Sequence, residues 1–255
     1  MRNKMINELA VCGMNAVLAA GQYHPLTINR LFLREDRLQS FTHICKQLAE
    51  RKRPYKICED EELERVCKSV HHQGVVAMIE EPVVEPLSME DLESWAAEGK
   101  TGIILHCVEN DHNLGAIARA AAFFDVSFIV LNETDTETRL TTSAYRVAEG
   151  GMEHLTIRKI SNTAAFLKDA GKTGRLVTIG TDTRARMRIS DLKGIVKDSK
   201  VRPGIALVLG NEETGLPQNV KEQCSYLLRI PGTGNIDSLN VSQAAALFLH
   251  AIFEL

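Results

Sequence analysis

The stretch Gly232–Leu255, GTGNIDSLNVSQAAALFLHAIFEL, decides how the rest of the chain is read. Two glycines and a run of small polar residues pass straight into an apolar helical pattern. Glycine-rich turns ahead of helices commonly hold phosphates. A dinucleotide fingerprint, however, follows a first strand, opens a βαβ unit and meets an acid about 20 residues later. Here the glycines follow the late strand pattern Tyr226–Ile230, with too few residues after them for such a unit. No Gly-Lys-Ser/Thr occurs in this stretch, which excludes a P-loop here. The plain alternative is a strand-to-helix loop in which Asp237 or Ser238 caps the helix.

Two earlier segments share this character. In LVLGNEETGLP, Leu207–Pro217, a buried strand ends on Gly210 and turns back at Gly215-Leu216-Pro217. Ligands of open α/β sheets bind at the C-terminal ends of strands, so Glu212 and Glu213 are either site residues or an exposed acidic turn. In HCVENDHNLGAIARAAAFFDV, starting at His106, Asn113 precedes an apolar helix that carries Arg119. An arginine on so apolar a helix snorkels to water, pairs with an acid, or faces a polyanionic ligand.

The remainder of the 255 residues is ordinary for a globular α/β chain, at 44% hydrophobic and 25% charged. The six cysteines (Cys12, Cys45, Cys58, Cys67, Cys107, Cys224) form no C-x-x-C pair. The expectation is a reduced, cytoplasmic, metal-free protein without a disulfide framework. The apolar run near the N-terminus reads as a helix rather than a signal peptide. The net charge of −3 hides an uneven distribution: residues 80–98 hold seven acids and no base. That acidic, proline-containing segment reads as a linker entering a helix capped by Ser88 with Asp91. It separates a small front α/β sandwich, residues 1–79, from a larger unit, residues 99–255, whose near-continuous apolar strands suggest a parallel sheet.

Taken together, Asn113-x-Gly115-x-x-x-Arg119, Gly210-Asn211-Glu212-x-x-Gly215-Leu216 and Ile230-Pro231 followed by Ser238-Leu239-Asn240-Val241-Ser242 resemble the SpoU (TrmH-like) RNA 2′-O-ribose methyltransferases. VCGMNAVLAA, LFLRED and HHQGVVAMI resemble the ribosomal-protein-like substrate-binding domain that many members carry. The resemblance implies a C-terminal trefoil-knotted, mainly parallel-sheet α/β methyltransferase domain behind an RNA-binding domain, and a homodimer paired through the knotted domains. It implies S-adenosylmethionine as cofactor, with Gly210, Ile230 and Leu239 lining its pocket and Asn211 and Ser238 nearby. Arg119 is expected to clamp the 3′-phosphate and stabilise charge on the attacking 2′-oxygen. Asn113 is expected to orient the ribose or Arg119, and Glu212 to hold that guanidinium or a neighbouring donor. Ser238 and Asn240 would fix the loop and reach the substrate. The RNA (tRNA or rRNA) would meet Arg51, Lys52 and Arg53, the alternating Arg184, Arg186 and Arg188, and Arg139 and Arg146. The chain departs from the family pattern at Gly232, where methionine is common, and over Arg146–Met152. The competing expectation is a catalytically silent RNA-binding protein of the same fold, acting in ribosome or tRNA maturation.

Overall fold

Strand Glu8–Cys12 precedes the helix read from the apolar run near the N-terminus, which forms over Met14–Tyr23. In this computed structural model, which describes residues 7–108, 110–133, 140–172, 176–197 and 203–255, the run ELAVC is claimed by an antiparallel neighbour. Short apolar runs fit either state, and sheet pairing decides. In chain order the elements are β1 (Glu8–Cys12), α1 (Met14–Tyr23), β2 (Ile28–Leu33), α2 (Leu38–Glu50), β3 (Tyr55–Ile57), α3 (Asp60–Cys67) and β4 (Val75–Glu80). There follow β5 (Glu85–Pro86), α4 (Met89–Ala97), β6 (Thr101–Leu105), α5 (Asp111–Phe123), β7 (Phe128–Asn132), α6 (Thr142–Ala148), β8 (Thr156–Ile160) and α7 (Thr163–Lys172). The chain closes with β9 (Leu176–Thr181), β10 (Met187–Arg188), α8 (Leu192–Lys197), β11 (Gly204–Leu209), α9 (Gln218–Lys221), β12 (Tyr226–Arg229) and α10 (Val241–Phe253).

These elements form two compact units, one of Met1–Val83 with Leu140–His154, the other of Val84–Arg139 with Leu155–Leu255. The first unit is a four-stranded sheet in the order β1-β4-β2-β3, with only β2 and β3 parallel. Phe41, Ile44, Cys45 and Leu48 recur at helical spacing along α2 and are all buried. The later segment joins this unit through α6, which packs on β1. Asn15 donates to Glu149 (3.1 Å), and the buried Glu153 carboxylate lies 3.4 Å from His24.

The second unit is an eight-stranded sheet in the order β10-β12-β9-β11-β6-β7-β8-β5, parallel at every ladder. Every residue of β6, β7 and β11 is buried, as a parallel sheet covered on both faces requires. The acidic segment does more than connect. Glu85–Pro86 is the edge strand, and Ser88 caps α4 in a capping box with Asp91. Trp95 of α4 is fully buried, stacks on Phe128 at 5.2 Å and donates from Nε1 to Ile205 O (3.1 Å). Gly102 permits this, because a Cβ there would sit 2.3 Å from the Trp95 ring.

Candidate active site

The strand order locates the site before any side chain is considered. From β6 the chain runs through β7 to β8, then returns to β9 and β11 on the other side of β6. The adjacent strands β6 and β11 therefore flank the point where winding reverses, and the crevice beyond their C-terminal ends is where such sheets bind ligands. The segment after β6 leads to Asn113, and the segment after β11 carries Gly210, Asn211 and Glu212.

Asn113 is buried in the first turn of α5, whose cap Asn110 accepts from His112 N (2.8 Å). Its Nδ2 donates to Glu212 Oε1, and its Oδ1 accepts from Asn240 Nδ2 (3.0 Å). A buried amide bonded at both ends has one orientation, and the bond to a carboxylate is the stronger kind. Asn240 Oδ1 in turn accepts from Ser242 N (2.9 Å), which makes Asn240 the cap of α10. Asp237 and Ser238 do not cap it. A helix started there would pull Asn240 from Asn113 and consume the open main chain of the loop.

Asn211 organises the facing turn. Its Nδ2 donates to Cys107 O (3.0 Å), while its Oδ1 accepts from Glu213 N (2.9 Å) and Thr214 N (3.1 Å). Cys107, at φ 55°, bends the chain out of β6 in a conformation that L residues seldom adopt. His106 Nδ1 lies 3.0 Å from Thr163 Oγ1 beside it. Neither residue belongs to the motifs legible in the sequence. The end of an apolar run marks His106 only as a strand terminus, and nothing marks Cys107.

The loop after β12 supplies the third wall. Ile230 is half-buried, and each residue from Pro231 to Asn240 is exposed, Leu239 to 45%. Among the described residues, no main-chain group of 231–239 bonds to another main-chain group. The loop thus offers bare donors and acceptors, two apolar side chains in Ile236 and Leu239, and a single charge, Asp237. That chemistry fits a nucleoside read by main chain, as S-adenosylmethionine requires, and suits a polyphosphate poorly.

The structure thus brings Asn113, Glu212 and Asn240 into one hydrogen-bonded chain with Asn211 alongside, and puts Ser238 and Leu239 on the exposed loop. Arg119 is exposed on α5, about 9 Å along the helix from Asn113 and about 120° around it. Arg51 donates to the carbonyls of Pro25 (2.6 Å) and Leu26 (2.7 Å), whereas Lys52 and Arg53 are exposed. Arg184, Arg186 and Arg188 are all exposed, alternating with half-buried neighbours, and Arg188 pairs with Arg229 of β12. Arg146 is half-buried on α6 in the first unit, and Arg139 lies outside the described residues. Among the described residues no cluster of His, Cys, Asp and Glu could hold a metal ion, and no helix is long and apolar enough to cross a membrane.

A parallel sheet with a hydrogen-bonded polar chain at its switch point defines an α/β protein with a candidate ligand crevice beyond β6 and β11. Residues 100–250 match the SpoU rRNA methylase family, and residues 10–83 match the RNA 2′-O ribose methyltransferase substrate-binding family. The chain belongs to the SpoU rRNA methylase family. YacO of Bacillus subtilis (strain 168), assigned to the TrmH family of tRNA/rRNA methyltransferases, is 33% identical over 185 residues, 71% of this chain and 70% of its own. The 23S rRNA (guanosine-2′-O-)-methyltransferase RlmB of Nitrosomonas europaea is 29% identical over 250 residues, 98% of this chain and 92% of its own. The fold is shared with an AdoMet-bound rRNA methyltransferase from Sinorhizobium meliloti, at TM-score 0.76 and 21% identity over 96% of this chain and 86% of that one. It is shared also with the SpoU methyltransferase AviRb of Streptomyces viridochromogenes, at TM-score 0.72 and 19% identity over 97% and 90%.

Proposed function

We propose that this protein is an S-adenosylmethionine-dependent RNA methyltransferase that 2′-O-methylates a ribose of tRNA or rRNA. The observation that carries the proposal is the Asn240–Asn113–Glu212 chain, which joins three sequence-distant motifs at the sheet's switch point. The cofactor, when bound, supplies an electrophilic methyl on a sulfonium whose leaving group is neutral. What the protein must add is alignment and stabilisation of negative charge on the attacking oxygen. Gly210, Asn211, Ile230, Ser238 and Leu239 hold the nucleoside through main chain and apolar contact. The rigid Asn113 amide orients the ribose, with Glu212 fixing that amide from behind. Arg119 clamps the substrate's 3′-phosphate and faces the developing oxyanion. Arginine stays protonated throughout the biological pH range, so it acts here as a cation and not as a base, and the 2′-hydroxyl proton leaves late to phosphate or water.

The same reading assigns the front domain (residues 1–79), the acidic segment (80–98) and the methyltransferase domain (99–255), the last lending Leu140–His154 to the first compact unit and having its C-terminal segment threaded as a trefoil knot. It makes the protein a cytoplasmic homodimer. Supporting the dimer, α5 and α10 pack together and leave Phe123 (80% exposed) and Phe253 (56%) on one side, both against Phe124. RNA contacts fall to Lys52, Arg53, Arg139, Arg146, Arg184, Arg186 and Arg188.

Labelled methyl transfer to total RNA from cells lacking the gene tests the activity, and mapped 2′-O-methylations that vanish with the gene name the nucleotide. Arg119→Lys is expected to lose most turnover while cofactor binding by calorimetry is kept. Near wild-type turnover of Arg119→Lys refutes the clamp. Cofactor binding without transfer to any RNA favours the silent RNA-binding protein.

A further inference from the structure

Six consecutive residues of the first unit, Lys52–Ile57 (KRPYKI), are exposed. The way α2 ends fixes where they point. Arg53 N bonds Leu48 O (2.8 Å) and Lys52 N bonds Ala49 O (3.0 Å), with Lys52 at φ 54°. This is the paired closure that glycine normally makes, and a lysine there costs about 1 kcal/mol. Arg51 bolts the turn down through the carbonyls of Pro25 and Leu26, leaving the Leu26 side chain 74% exposed beside it. Pro54 then feeds β3, the sheet edge, paired among the described residues only with β2.

The side chains along this edge divide by partner. Lys56 points to one face, where Glu62 takes its Nζ (2.6 Å). Tyr55 (44% exposed) and Ile57 (46%) project to the other. With Arg51 and Lys56 committed, the outward-facing set is two cations, Lys52 and Arg53, next to an aromatic ring on a fixed strand. Arg53 and Tyr55 stand about 7 Å apart along an extended chain, within the span of one nucleotide.

We propose that this strip binds an unpaired RNA nucleotide, its base stacked on Tyr55 against Ile57 and its flanking phosphates held by Lys52 and Arg53. The proposal rests on the RNA methyltransferase reading and specifies what the first unit recognises: single-stranded or looped-out RNA in preference to regular duplex. A flat edge carrying one exposed ring suits a splayed base, because every base has a face to stack. In an A-form helix those faces are already covered. Charge complementarity and the match of residues 10–83 to a substrate-binding family both favour RNA as the occupant.

The test uses the full chain and a fluorescein-labelled, non-self-complementary RNA of about 12 nucleotides, alone and annealed to its complement. Tyr55→Ala is expected to weaken single-strand binding about 5- to 150-fold, and Tyr55→Phe to restore it. Lys52→Gln with Arg53→Gln is expected to flatten the salt dependence by about 0.7 per lost phosphate contact. Circular dichroism confirms that each variant is folded, and calorimetry with S-adenosylmethionine is expected to read as wild type in all three. If folded Tyr55→Ala binds the single strand as wild type does, or if the duplex is preferred, the strip is overturned while wild-type methyl transfer still upholds the enzyme. Loss of single-strand affinity in Tyr55→Ala of a protein that moves no methyl supports the strip and overturns the enzyme reading.

Discussion

Gly210→Ala probes the close crossing behind the candidate site. A Cβ at position 210 would lie 2.5 Å from Gly215 C, 2.6 Å from Leu216 N and 2.7 Å from Gly215 O. All three are main-chain atoms, so no side-chain rotation relieves the contact and the turn itself must move by about 1 Å to reach ordinary carbon separations. Overpacking a closed site costs about 1–3 kcal/mol, and a clash with backbone alone belongs at the upper end, about 3 kcal/mol. At about 2–4 °C per kcal/mol for a unit of this size, melting should fall by about 6–12 °C. The chain's single tryptophan, Trp95, lies in the core of the second unit, so its fluorescence follows that unit alone. The same shift displaces Asn211 and Glu212, so cofactor affinity should fall as well. Gly232→Ala is the control: nothing lies within 4 Å of its added Cβ, and the change should stay within about 0.5 kcal/mol. A Gly210→Ala protein that melts within about 1 °C of wild type and binds cofactor normally refutes the packed turn.

Two further outcomes follow from titration. The Arg158 guanidinium, 2.8 Å from Asp91, holds that carboxyl below the usual aspartate range, aided by the capping bonds of Ser88. A depressed folded value gives stability that is complete above the unfolded value near 3.9 and is lost as pH falls through the folded one. The second unit should therefore weaken below about pH 4. Asp91→Asn should cost about 2 kcal/mol at neutral pH, and its deficit should narrow in acid, read from Trp95 during urea unfolding. A deficit that stays constant with pH refutes the ion pair. Burial pushes the Cys12 and Cys224 thiols up to about 12. Iodoacetamide at mildly alkaline pH should leave both unmodified in the native protein and alkylate both in denaturant, by peptide mass spectrometry. Native alkylation of Cys224 at the rate of an exposed thiol refutes the closed core around it.

Local chemistry and periodicity determined much of this protein. The Ser88–Asp91 capping box needs only four consecutive residues, and it forms as the sequence implies. Continuous apolar runs at β6, β7 and β11 announce strands covered on both faces, because a side chain's burial alternates only when one face meets water. The three motifs were legible together as a family pattern, since their glycines, amides and acid keep fixed spacing within each segment. Tertiary structure alone decided the rest, where partners come from far along the chain. Glu8–Cys12 is a strand because Val76–Glu80 pairs with it. Residues 140–154 belong to the first unit because α6 packs on β1, a contact no local window contains. Asn240 caps α10 because its amide also reaches Asn113, 127 residues away. Arg51 supports a turn because Pro25 and Leu26 present carbonyls to it. Propensity acts within a few residues, whereas these assignments are set by which buried groups the folded chain must satisfy at a distance.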